Sequence, residues 1–85
     1  MEYIREKVVP HATMEEQMVD LRKLDEAIER SGIKMTALSE KAGISRQTLY
    51  NRLNGVGEFT ASEIIGITNA LRLSAEERED IFFAQ

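Results

Sequence analysis

The sequence has no cysteine and no tryptophan, and only one proline and one histidine in 85 residues. Without cysteine there is no disulfide framework, which sets aside the small secreted domains stapled by bridges and fits a reducing compartment, so the cytoplasm is the expected location. His11 stands beside Pro10 with no cysteine and no patterned carboxylate near it, so it makes neither a metal site nor an acid–base pair. No apolar run approaches the roughly 18 residues of a membrane span, and no signal-peptide pattern is present. A Gly-rich phosphate loop, a nucleophile elbow and an HExxH segment are missing as well. These absences point away from an enzyme, a cofactor, a metal and a membrane. A basic excess is also lacking, since the formal net charge is −4.

What is present suits one helical domain. The hydrophobic fraction is 42% and the charged fraction 31%, a balance found in folded chains. A core of this size buries only about 60–65% of the unfolded surface, which leaves nothing for a second domain. The charge is unevenly placed: residues 1–30 sum to −3, residues 31–55 to +3 and residues 56–85 to −4. By itself, +3 over that length is as readily ordinary surface fluctuation as a docking face.

The positive segment holds the most legible stretch, Thr36 to Gly55, TALSEKAGISRQTLYNRLNG. Two short amphipathic helices, about Ala37–Ala42 and Arg46–Leu53, flank a turn of about three residues, the layout of a helix-turn-helix. Gly43 suits the left-handed residue closing the first helix, Ser45 suits the cap of the second, and Thr36 is expected to cap the first. Leu38, Ala42, Ile44, Leu49 and Leu53 form the expected buried side, with Ala42 small enough for close helix approach. The other face of the second helix carries Arg46, Gln47, Tyr50, Asn51 and Asn54. Arginine and the amides have paired hydrogen-bonding atoms that match guanine and adenine edges in the major groove. Tyr50 can meet a thymine methyl or a sugar.

This stretch, with EFTASEI shortly after it, resembles the Cro/C1-type (Xre) helix-turn-helix family of phage repressors and bacterial regulators. The resemblance covers about Val19 to Ala84 and leaves the first 18 residues outside. It implies an all-α, lambda-repressor-like bundle of about five short helices, with residues 19–85 as the DNA-binding domain and 1–18 as an N-terminal extension. It implies base contacts from Arg46, Gln47 and Asn51, joined by Tyr50 on the same face. Backbone contacts are implied for Thr36 and Asn54, and Lys34, Ser45, Thr48 and Arg52 are further candidates; Lys41 is an additional cation that could reach phosphate. Arg52 departs from the pattern, standing where many members have an aliphatic residue, with Leu53 taking the core contact instead.

The flanks are less decisive. Residues 1–12, MEYIREKVVPHA, show no full periodicity; they read as an arm with Arg5 and Lys7 toward DNA or, more plainly, as a frayed terminus. Thr13 and Glu16 have capping-box spacing, and Met14, Met18, Leu21, Leu24 and Ile28 form one stripe. Either the first helix begins near Met14, or two helices meet near Asp20, which would cap the second. Gly32 ends that helix and Ile33 folds back. Thr60–Glu63 and Ser74–Glu77 are two further capping boxes, opening one helix that ends near Arg72 and another through Ile81-Phe82-Phe83. Phe59 is placed to staple onto the first of these, and one of Phe82 and Phe83 should be buried.

Two functions compete. The leading one is a sequence-specific double-stranded DNA-binding regulator, a phage- or prophage-type repressor or Cro-like protein on an inverted repeat, acting as a homodimer. The other is a protein-interaction module, such as an antitoxin or anti-repressor, that uses the N-terminal extension toward a protein partner.

Overall fold

A computed structural model describes residues 19–84, and these form five helices with no strand among them: α1 Leu21–Ser31, α2 Met35–Ala42, α3 Arg46–Leu53, α4 Ala61–Leu71 and α5 Ala75–Phe82. The expectations for the arm, Arg5, Lys7 and the Thr13–Glu16 box concern residues outside that range.

Local chemistry sets most of the boundaries. Asp20 is extended (φ −93°, ψ 94°) and its carboxylate accepts the Lys23 N–H at 3.1 Å, so α1 starts at Leu21. The Asp20 N–H donates to the Ile81 carbonyl at 2.7 Å, tying the entry of α1 to α5. Thr60 and Ser74 form complete capping boxes with Glu63 and Glu77, as their spacing predicts. Gly32 and Gly43 close α1 and α2 in the left-handed region at φ 74° and 73°, which a residue without a Cβ adopts at little cost. Arg72 does the same for α4 at φ 57° with a full side chain.

One cap differs from expectation. Helix α2 begins two residues early, at Met35, with Lys34 as the N-cap and no side-chain acceptor there. Thr36 therefore lies inside the first turn. Its carbonyl accepts the Ser39 hydroxyl at 2.9 Å, which satisfies the polar group of a buried serine.

The core joins all five helices. Leu24, Leu38, Leu49, Ile67 and Phe82 are sealed from solvent, and Ala27, Ile28, Ile44, Phe59, Ile64 and Ile81 complete it. Ala42 and Leu53 pack at its margin, as does Ile33 after the Gly32 turn. The Phe59 ring meets Phe82 edge-on, with centroids 5.3 Å apart and planes at 76°, a favoured aromatic geometry. Phe82 is the buried member of the final aromatic pair, and Phe83 remains 42% exposed. Ile65 points outward at 60% exposure.

Helices α2 and α4 make the most extensive helix pairing. They approach so closely that a Cβ on Gly66 would press into the Ala42 carbonyl oxygen and stand 3.0 Å from its carbon. The missing side chain at Gly66 thus lets its helix sit against the Ala42 backbone, and the close approach is between α2 and α4.

Candidate nucleic-acid interface

Helix α3 is anchored by one deeply buried residue and two flankers. On a helical wheel of about 100° per residue, Leu49 lies near the centre of the inward sector, with Arg52 and Leu53 on either side of it. Leu49 is fully buried, while Arg52 and Leu53 are half-buried. Ile44, in the turn, is also in the core, and its N–H donates to the Ser39 carbonyl at 3.0 Å, so the turn is fixed to α2.

From the edge of that inward sector beside Leu53 round to the opposite side run Arg46, Tyr50 and Gln47, all exposed, with Asn51 half-buried after them. Gln47 and Asn51 are one turn apart, and the Gln47 Nε2 donates to the Asn51 side-chain Oδ1 at 3.3 Å. The four side chains named for base contacts therefore share one face, which begins at the N-terminal end of α3. An arginine and two amides side by side can offer both donors and acceptors to base edges.

The residues named for backbone contacts occupy several settings. Ser45 is extended and caps α3: its hydroxyl accepts the Thr48 N–H at 3.1 Å and lies 3.0 Å from the Thr48 hydroxyl. Asn54 is the exposed C-cap of α3. Lys34 and Thr36 are exposed at the start of α2, where no side chain caps the first-turn N–H groups; such open amides at the positive end of a helix dipole suit an anion. Lys41 is exposed at the other end of α2, beside a shallow groove it shares with Asn69, Ala70 and Arg72.

The sequence matches the helix-turn-helix family model over residues 24–78, well over half of the chain. The chain belongs to the Cro/C1-type helix-turn-helix family. Searches of curated proteins and of solved structures returned no match. The matched span contains α2, the turn and α3, so in this helix-turn-helix domain α3 occupies the place of the recognition helix. DNA binding is the coarse function that membership supports.

Arg52 differs from its neighbours on the recognition helix. Its Nε donates to Glu63 Oε1 at 3.1 Å, its Nη2 to Glu63 Oε2 at 3.4 Å and its Nη1 to the Val56 carbonyl at 3.2 Å. The two side chains are only 19% and 14% exposed. All three guanidinium nitrogens thus have acceptors within the domain, whereas Arg46 faces solvent. Two contributors escaped the sequence reading: Glu63 as the partner of Arg52, and Gly57, where a Cβ would collide with Arg52 Nη1. No helix among the described residues is long and apolar enough to cross a membrane.

Proposed function

We propose that this protein is a sequence-specific transcriptional regulator of double-stranded DNA, a phage- or prophage-type repressor or Cro-like protein of the cytoplasm that binds an inverted repeat as a homodimer. The observation that carries the reading is the outward arc of α3, where Arg46, Gln47, Tyr50 and Asn51 stand together behind a fully buried Leu49. Arg46 is assigned to guanine, Gln47 and Asn51 to adenine, and Tyr50 to a thymine methyl or sugar. Thr36 and Lys34 take a phosphate at the open end of α2, while Ser45, Thr48 and Asn54 face the backbone beside α3.

An eight-residue helix reads only a few base pairs, so useful specificity calls for two half-sites. The acidic flanks suit this purpose. They repel bulk DNA, and the few correct phosphate and base contacts then decide residence. Phe83, exposed at the end of α5, is an aromatic available for contact between copies.

Selection of bound duplexes from a random library, with purified full-length protein near physiological salt, tests the reading. The expected product is an inverted repeat with half-site centres about 10 bp apart. Arg46→Ala should then cost about 1–3 kcal/mol on that site and relax one base position, while the melting temperature is unchanged. Recovery of no sequence above background by a folded protein would refute the DNA reading and favour a protein partner.

A further inference from the structure

We infer that Arg52 and Glu63 form a positioning couple that sets the recognition helix and its exit loop for DNA, with Arg52 acting through the loop and touching no phosphate. The inference rests on the DNA-binding reading above.

Four observations converge on it. Glu63 holds two jobs at once: Oε1 accepts the Thr60 N–H at 3.0 Å, completing the α4 cap, and also accepts Arg52 Nε at 3.1 Å. The carboxylate that starts α4 therefore also grips α3. Arg52 Nη1 reaches the Val56 carbonyl, and the Val56 N–H donates to the Asn51 carbonyl at 2.8 Å, so the loop is held from both sides. Gly57 leaves the space the guanidinium occupies; a Cβ there would also lie 3.2 Å from Arg52 Cζ. Both side chains are mostly shielded from solvent, where an ion pair is screened less than one at the surface. A planar fork with fixed donor directions can satisfy these acceptors together, which a lysine ammonium cannot.

The pairing has an electrostatic consequence. Glu63 neutralises Arg52, so the couple supplies no net charge to offset phosphate. A direct phosphate contact would require the guanidinium to abandon Glu63 and leave a carboxylate facing the DNA backbone.

The test uses the full chain, with R52Q, R52K, E63Q and the double variant R52Q/E63Q. Glutamine at 63 keeps an acceptor for the Thr60 N–H, as capping boxes permit. Affinity is measured on the operator selected by the parent, across a salt series, together with amide exchange of residues 54–57 in the free protein. The positioning role predicts that R52Q, R52K and E63Q each weaken binding at least about tenfold, as expected for losing hydrogen bonds between charged groups. The salt slope stays at the parent value, the double variant is no worse than either single one, and exchange at 54–57 quickens in all of them. A phosphate contact predicts the reverse: R52Q lowers the slope by about one, R52K retains most affinity, and E63Q binds as tightly as the parent or more so. That result, or unchanged exchange at 54–57 beside a parent that binds its operator, overturns the couple alone. A parent that selects no duplex overturns the DNA reading and the positioning role with it.

Discussion

Gly66→Ala should destabilise the protein, although the substitution looks favourable by local rules. Alanine in a helix interior gains about 1 kcal/mol over glycine from propensity. Here the added methyl would press into the Ala42 carbonyl oxygen, 3.0 Å from its carbon and 3.1 Å from the Ala42 Cα. Every one of those atoms is backbone, so no rotamer change relieves the contact, and α2 and α4 must move apart. Overpacking of this kind typically costs 1–3 kcal/mol, and a backbone-to-backbone collision belongs at or above the upper end. The net loss is about 2 kcal/mol or more, which for a domain of this size lowers the melting temperature by at least roughly 8–16 °C. Since α2 carries the turn and α3, operator affinity should fall as well. Paired circular-dichroism melts of Gly66→Ala and Gly32→Ala provide the assay. Gly32 has φ 74° and open space where its Cβ would go, so alanine there bears only the left-handed penalty of roughly 1 kcal/mol. A Gly66→Ala melt at or above the parent would refute the close approach of α2 and α4.

Leu49→Ala should cost about 2–5 kcal/mol in urea unfolding, because Leu49 is fully buried and anchors α3; a loss of DNA binding with unchanged stability would contradict that. Arg72→Gly should raise the melting temperature, since Arg72 closes α4 at φ 57° and glycine removes a left-handed penalty of about 1 kcal/mol; a lower melting temperature would show that the side chain gives more than its backbone costs. The Glu77 carboxylate accepts the Ser74 N–H at 2.8 Å, and this bond first, then the Ser74 hydroxyl and Arg30, hold its pKa below the ordinary 4.5 despite some desolvation. A lowered carboxylate pKa adds stability that is present above the ordinary value and lost as pH falls through the folded one. Parent and Glu77→Gln melts should therefore differ at pH 7 and draw together as the pH falls below 4.5 and through the lowered folded value; a gap that persists once Glu77 is protonated would assign it to something other than the charge.

How far the sequence alone could be followed depended on how local each cause was. Ser45, Thr60 and Ser74 were legible as caps because a cap is made by residues three apart, and the core positions were legible because periodicity places them. Asp20 remained one of two possibilities. The apolar stripe runs past it, and what accompanies its cap, the bond from its N–H to the Ile81 carbonyl, spans most of the chain. Thr36 misled because a threonine two residues into a helix has the same composition signature as a cap, whereas Lys34 has no side-chain acceptor to advertise its role. Gly66 reads in sequence as a small helical penalty, and only its contact with Ala42 explains it.

Arg52 is the instructive case for the interface. Charge counting in the segment 31–55 treats Arg46 and Arg52 alike, and type alone makes both candidates for DNA. Helical geometry already separates them. At about 100° per residue both fall about 60° from Leu49 but on opposite sides of it: Arg46 lies about 40° from Tyr50, whereas Arg52 is on the far side of the helix from Gln47 and Tyr50. What the wheel cannot supply is the acceptor, because Glu63 is eleven residues away on another helix. With that pair internal, the charge free to meet phosphate in this segment is smaller than the +3 suggests and rests on Lys34, Lys41 and Arg46. On the proposed DNA-binding reading, so few free cations in this segment leave affinity to depend on the geometry of α3, and the loop that holds α3 becomes part of how DNA is read.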